Sequence, residues 1–248
     1  MPSEDAERWN ARYRDDESNL RDVPPRRFLV DNAACLPRQG LALDAAMGLG
    51  GNASILLEMG LRVVGVDISW AAARQAKARL PALMAVVADL THFHLPEECF
   101  DVILNFYYLQ RDLWAQYRRA LRPGGILVIE TLTQEMHSLR PDIDPLYLLH
   151  PGELKAAFGD WQVLAEREGW VESGTRHPKA VASLIARRPG GSVAPQHGQV
   201  TLVGLDEHRQ GDAQRAGVRR GELYAALVKP RCNADQVHLQ VHCLAACG

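Results

Sequence analysis

The sequence predicts an α/β fold: a doubly wound sheet of seven strands with helices on both faces, an antiparallel last strand, and a C-terminal extension. Three observations carry that expectation. First, Leu41–Ala53 (LALDAAMGLGGNA) is a short apolar strand leading into a glycine-rich turn and then a helix, the usual start of a nucleotide crevice in an open α/β sheet. Second, apolar runs of strand length, Leu61–Ile68, Met84–Ala88, Phe100–Asn105 and Gly125–Leu132, alternate with helical patterns, as parallel βαβ units require. Third, the first three of these strands end on carboxylates, Asp44, Asp67 and Asp89, which places acid groups along one edge of the sheet.

The elements follow in order. Trp9 and Tyr13 are four residues apart and share a face if the N-terminal stretch is helical, either to dock that arm or to close it over a ligand as a lid. Pro24-Pro25 breaks the chain, and Arg26–Leu36 reads as a helix with Phe28, Leu29, Ala33 and Leu36 inward. After the glycine turn, Ile55, Leu56, Leu57 and Met59 mark a buried helix face closed by Gly60. Ser69 is placed to N-cap a helix over Trp70–Leu80, which Pro81 ends. Phe100–Asn105 is nearly all apolar, as the centre of a sheet covered on both faces demands, so Asn105, Phe106, Tyr107 and Tyr108 emerge beside the crevice. Tyr108–Leu121 has helical spacing through Leu109, Leu113, Tyr117 and Leu121. Glu130, near the end of the fifth strand, is either a pocket group or a solvated strand-end acid.

The connection Thr131–His150 is long, of the kind that forms substrate-facing lids, and its His137 is either a proton acceptor or a surface histidine. Pro151–Phe158 reads as a short helix, and Trp161–Arg167 with Ala180–Arg188 as the closing strands. The expected organisation is an arm over residues 1–25, a domain over 26–188, and a linker with an extension over 189–248. In the extension, Gln199–Leu205 suggests a strand and Gly221–Val228 a helix.

Composition narrows the function classes. Hydrophobic residues make up 47% of the 248 and charged residues 23%, the balance of an ordinary globular protein. The net charge of −2, with no basic run interleaved with aromatics, points to a small-molecule substrate, with neither nucleic acid nor membrane as partner. A charge-dense N-terminal stretch without an apolar signal core, and no run near the ~20 apolar residues of a membrane span, lead to a cytoplasmic expectation. The five cysteines are too scattered for a disulfide framework. No metal site is expected. His92 and His94 lack a third ligand, and Cys232, His238, His242, Cys243 and Cys247 lack a Cys-x-x-Cys knuckle. Oligomeric state is left open.

The glycine turn alone does not identify its ligand. Gly48-Leu49-Gly50-Gly51-Asn52-Ala53 fits dinucleotide binders as well, and Asp67 suits any ribose. The carboxylate Asp44 discriminates, because it repels a pyrophosphate and attracts a cationic ligand by about a kcal/mol or more once partly desolvated. With the acidic strand end Val86–Leu90 and the run Leu121–Glu130 (LRPGGILVIE), the chain from Trp9 to Arg188 resembles class I S-adenosylmethionine-dependent methyltransferases. The resemblance implies a Rossmann-like fold and S-adenosyl-L-methionine as cofactor. It implies that Asp44, Gly48 and Gly50 border the methionine part, Asp67 binds the ribose, Asp89 meets the adenine amine and Leu90 flanks the ring. Ala46, Asn52, Ile68 and Asn105 complete the candidate cofactor-binding set.

Glu7–Tyr13 (ERWNARY), His150–Leu154 (HPGEL) and Trp161 are similar to the tellurite-resistance and thiopurine methyltransferase branch. Ala46 stands at that motif's first glycine, Met47 where the branch often has cysteine, and Gly51 in place of a frequent arginine. The implied activity is methyl transfer by direct displacement to a thiol, a thiopurine or a metalloid oxyanion, with Asn105, Tyr107 and Tyr108 positioning the acceptor and Trp9 and Tyr13 as the lid. Two rivals stand beside it: a cofactor-binding sensor or inactive methyltransferase-like module, suggested by the Ala46-Met47 turn, and a nicotinamide-dependent oxidoreductase, disfavoured by Asp44 and Asp89.

Overall fold

The computed structural model describes residues 3–15, 23–172, 177–190, 226–233 and 236–243. Seven strands form one sheet in the order β3-β2-β1-β4-β5-β7-β6, with β1 Leu41–Ala45, β2 Arg62–Asp67, β3 Met84–Val87, β4 Phe100–Phe106, β5 Leu121–Leu132, β6 Gln162–Val171 and β7 Lys179–Arg187. The pairs β1–β2, β2–β3, β1–β4 and β4–β5 are parallel, whereas β7 runs antiparallel to both β5 and β6. Strand order reverses between β1 and β4, so the carboxyl ends of these two strands diverge around a crevice, the position where open α/β sheets hold ligands.

The helices are α1 Glu4–Asp15, α2 Arg27–Asp31, α3 Gly51–Glu58, α4 Trp70–Arg79, α5 Asp112–Ala120 and α6 Glu153–Phe158. Side-chain alternation divides the core between the two faces of the sheet. Leu41, Leu43, Val64, Val66 and Ile103 pack with Leu113 and Tyr117 of α5 and Leu154 and Phe158 of α6. Ala42, Val63, Val102 and Leu104 pack with Phe28 and Leu29 of α2, Leu56 of α3, and Ala73 and Ala76 of α4. Strand β1 is buried throughout, whereas β6, at the sheet edge, has no fully buried residue. Gly65 is needed where it stands, because a Cβ there would lie 2.1 Å from Met47 Sδ, the side chain that fills the gap beside it.

Several elements are shorter than their sequence patterns. The helix expected over Arg26–Leu36 ends at Asp31 and continues after Asn32 as a 3-10 turn over Ala33–Cys35. The helix expected from Tyr108 starts only at Asp112; the chain leaves β4 through Tyr107 at φ 57°, a left-handed turn that redirects it before the helix begins. Ser69 caps α4 as expected, its Oγ accepting from Ala72 N–H at 3.2 Å. In the extension, the helix expected over Gly221–Val228 is overturned where the structure describes it. Ala226–Asn233 forms β8, antiparallel to β9 at Gln236–Cys243. The alternation of His238 and His242 with Val237, Leu239 and Val241 is strand spacing, as β9 then is, and its pairing with Ala226–Asn233 carries that segment into a strand in place of the helix. The strand expected at Gln199–Leu205 and the side chains of the Cys/His group lie outside the described residues.

Candidate cofactor crevice

Asp44 closes β1 and is 1% exposed. One carboxylate oxygen accepts from the Ala53 amide at the start of α3, while Oδ2 is buried without a partner. Burial, reinforced by the charge of Asp67, pushes its pKa up to about 7. An orphaned, desolvated carboxylate beside a glycine turn is an incomplete arrangement that a cationic group completes.

The turn that follows is built on left-handed residues: Ala46 at φ 54°, Gly48 at 55° and Gly50 at 74°. Ala46 is the residue that stands where a glycine was expected, and it adopts the conformation a glycine would take there. Met47 N–H donates to Val66 O at 3.0 Å and Gly48 N–H to Asp67 Oδ2 at 2.8 Å, so the turn is fastened to the end of β2. Arg79, from α4, donates to Leu49 O. Asp67 also accepts from Ser69 N–H through Oδ1 at 2.8 Å. The Ile68 amide also acts on this carboxylate, so three backbone donors converge on Asp67. Burial raises its pKa against those hydrogen bonds.

Asp89 follows β3 in a turn of its own. Oδ1 accepts from Thr91 N–H at 2.9 Å and Thr91 Oγ1 at 2.7 Å, and Oδ2 lies 3.3 Å from His92 Nδ1. Burial is the largest single influence and raises its pKa, but the Thr91 and His92 hydrogen bonds together outweigh it, so the net shift is downward. Leu90 is buried, and His92 and His94 are exposed. Asn52 does not reach across the turn but accepts from Arg26 N–H through Oδ1 at 2.9 Å, joining the segment before α2 to α3.

The arm lies over this crevice. Asn10 Oδ1 accepts from Ser69 Oγ at 2.9 Å and Ala71 N–H at 3.0 Å, and Gln75 Nε2 donates to Tyr13 O at 2.9 Å, so α1 sits across the N-terminus of α4. Trp9 and Tyr13 stack with centroids 6.0 Å apart. The Tyr13 hydroxyl stands over Gly48, 2.8 Å from where a Cβ would be, and burial with the nearby Asp67 charge pushes its pKa up to about 12. Asn10 and Arg79 were not singled out in the sequence, since their partners lie about 60 and 30 residues away and no local spacing marks them.

The three expected acceptor-positioning residues do not point one way. Asn105 is buried, donates through Nδ2 to Tyr117 Oη at 2.7 Å, and leaves Oδ1 unpartnered. Tyr108 packs against the same face as α5, and its pKa is pushed up to about 12 by burial and by the charges of Asp89, Asp5 and Asp67. Tyr107 packs on the opposite face, with Arg26 Cζ and Lys179 Nζ each 4.5 Å from its ring centroid. Glu130 is not solvated: it is 2% exposed, 2.9 Å from Arg167 Nη2, and accepts from Ser183 Oγ at 2.6 Å. His137 is exposed in the 3-10 turn Gln134–Ser138.

These groups fit an S-adenosyl moiety: the unpaired Asp44 oxygen for a cation, a tight turn built on left-handed Ala46, Gly48 and Gly50, and the Asp67 carboxylate as an acceptor for hydroxyls. The family model described as a methyltransferase domain matches residues 43–129, the segment from β1 into β5. A probable S-adenosylmethionine-dependent methyltransferase of Mycolicibacterium smegmatis is 32% identical over 190 residues, covering 73% of this chain and 72% of that protein. Among solved structures, TehB from Haemophilus influenzae is similar at a TM-score of 0.55 and 18% identity, covering 65% of this chain and 61% of that one. Geranyl diphosphate C-methyltransferase from Streptomyces coelicolor A3(2), solved with S-adenosyl-L-homocysteine, is similar at 0.55 and 16%, covering 76% and 99%. Both likenesses speak to the fold. The nicotinamide reading falls with the sequence relationship, and the chain belongs to the class I S-adenosylmethionine-dependent methyltransferases.

Proposed function

We propose that this methyltransferase acts on a small-molecule acceptor, a thiol, a thiopurine or a metalloid oxyanion, and belongs to the tellurite-resistance and thiopurine branch whose motifs Glu7–Tyr13 and His150–Leu154 resemble. The observation that carries the site is Asp44, a buried carboxylate with one oxygen unpaired at the point where strand order reverses. In this reading Asp44, Ala46, Gly48 and Gly50 hold the methionine part of the cofactor, Asp67 and Ile68 the ribose, and Asp89 and Leu90 the adenine, with Tyr13 and Trp9 closing over them. Residues 1–25 form the arm, 26–188 the catalytic domain and 189–248 an extension. No helix among the described residues is long and apolar enough to cross a membrane, which is consistent with a cytoplasmic enzyme.

When bound, the cofactor supplies a methyl group on a sulfonium whose thioether leaves readily. The protein's task is alignment: an acceptor held in line at about 3 to 3.5 Å gains ~7 to 11 kcal/mol without a catalytic acid. In this reading Tyr107 and Tyr108 wall the two sides of the space beyond β4, and Asn105, buried and held by Tyr117, keeps an unpartnered carbonyl oxygen at the end of that strand. With the tyrosine pKa values raised, neither phenol serves as a base at neutral pH, which favours acceptors already ionised there.

Incubation of the protein with methyl-labelled cofactor and a panel of thiols, thiopurines, selenite and tellurite tests this reading. Label in at least one such product is expected; label in none, with S-adenosyl-L-homocysteine still bound, supports the sensor reading. That second reading draws on Ala46, a non-glycine residue held at φ 54° in the turn.

A further inference from the structure

The face of Tyr107 collects more positive charge than the described residues neutralise. Arg26 Cζ and Lys179 Nζ lie over its ring at 4.5 Å each. Arg12, from the arm, is near enough to act electrostatically on Lys179 and Tyr13, as Arg26 is. Among the described residues none of these three cations forms an ion pair. The one carboxylate inside the group, Glu130, is engaged by Arg167 at 2.9 Å and by Ser183 at 2.6 Å. Arg167 adds a further charge, stacked 4.8 Å from the Phe28 ring centroid.

The position matters as much as the charge. Tyr107 follows the carboxyl end of β4, Lys179 opens β7 at the same edge of the sheet, and the Arg26 backbone is tied to Asn52 beside the glycine turn. Lys179 is half-buried, and its pKa is lowered first by burial and then by the Arg26 and Arg12 charges, against the pull of Glu130. Arg26 and Arg12 are exposed while Lys179 is half-buried, and like charges held this close repel one another unless an anion joins them. Arginine and lysine donors beside an aromatic wall suit a planar or tetrahedral oxyanion attached to a small apolar body.

We infer that Arg26 and Lys179 over Tyr107, with Arg12 near Lys179, form an anion subsite for the methyl acceptor, so that the substrate carries a carboxylate or phosphate-type oxyanion and presents its nucleophile toward the β1–β4 crevice. This rests on the methyltransferase site described above and narrows its substrate class to anions. An anion held there lies on the Tyr107 face, leaving Tyr108 and Asp89 on the other side for the cofactor.

Calorimetry on the full chain tests it with inorganic phosphate as the probe, with and without saturating S-adenosyl-L-homocysteine. The proteins are wild type, Lys179→Met, Arg26→Leu and, as a control, Lys155→Met, whose ammonium is exposed and paired with Glu166 on the far side of the domain's edge strand. Phosphate is expected to bind the wild type and the control alike, and about tenfold more weakly to Lys179→Met and Arg26→Leu, with S-adenosyl-L-homocysteine affinity unchanged in all four. Absence of phosphate binding to the wild type, or equal binding to all four, overturns the subsite. So does a parallel loss of S-adenosyl-L-homocysteine affinity, which would assign the cations to the cofactor's own carboxylate. Failure of the wild type to bind S-adenosyl-L-homocysteine would instead overturn the cofactor site, and the titrations without it would still decide the anion subsite. Should Arg26→Leu not fold, Lys179→Met alone carries the comparison.

Discussion

Asp44 is the residue at which function and stability pull apart. A carboxylate ordinarily titrates near 3.8, and here burial and Asp67 move it to about 7. The folded protein therefore holds a proton that the unfolded chain gives up between about pH 4 and 7, and stability falls as pH rises through that window. Replacing Asp44 by Asn keeps an acceptor for Ala53 N–H and removes the buried charge. Asp44→Asn is expected to be more stable than wild type by on the order of 1–2 kcal/mol at pH 8, with the advantage shrinking toward pH 5, as read by urea unfolding at both pH values. The same substitution removes the only carboxylate oxygen buried without a partner among the described residues, and with it the attraction for a cation. The sequence marked Asp44 through its place before a glycine turn; that one oxygen would be unpaired depended on the α3 amide meeting the other, which no spacing reveals.

At the scale of elements, two attachments fasten segments outside the sheet. Asn10 fastens α1 to α4 by accepting from Ser69 Oγ and Ala71 N–H. Asn10→Ala is expected to cost about 1 kcal/mol in total stability while releasing the arm, seen as faster amide exchange across α1 and a faster off-rate for S-adenosyl-L-homocysteine. Unchanged exchange in α1 would mean the aromatic stack alone holds it. On the other side, Arg111 grips Glu153 through two bonds, 2.5 and 2.9 Å, and donates to Leu146 O and Leu148 O at 2.8 and 3.1 Å. Arg111→Ala is expected to loosen the 133–150 connection, with proteolysis there increasing severalfold and a global stability loss of only about 1 kcal/mol, because the pair is partly exposed. Periodicity showed α4, β2, β3, β4 and β7 within a residue, but it began β5 four residues late, at Gly125 instead of Leu121, and ended β6 four residues early, at Arg167 instead of Val171. It overextended the helix before Asp112, where a left-handed Tyr107 redirects the chain, a backbone feature that leaves no mark on side-chain spacing. That Trp9 and Tyr13 share one face was visible from their spacing; the Asn10 attachment that places them was not, being a contact across about 60 residues.

For the molecule as a whole, the sheet completes itself at Arg188, whose N–H donates to Gly125 O at 2.9 Å and whose carbonyl accepts from Gly124 N–H at 3.0 Å. A chain ending there is expected to melt within a few degrees of the full protein and to bind S-adenosyl-L-homocysteine equally; a large drop in either would make the extension part of the catalytic unit. The doubly wound class with seven strands follows from the alternation of apolar runs with helices and was legible in the sequence, whereas the strand order, with its reversal between β1 and β4, is set by long-range pairing that no local spacing marks. The cation group around Tyr107 was not, since Arg12, Arg26 and Lys179 come from three distant segments that only the folded sheet edge brings together. The account depends above all on Asp44 facing the positive part of the cofactor. Its most direct test is the S-adenosyl-L-homocysteine affinity of wild type and Asp44→Asn from pH 5.5 to 8.5. The expected result is that wild-type affinity rises roughly tenfold per pH unit below about 7 and levels off above it, while Asp44→Asn binds weakly with no such rise. Parallel pH profiles for the two proteins, or tight binding by Asp44→Asn, would contradict it.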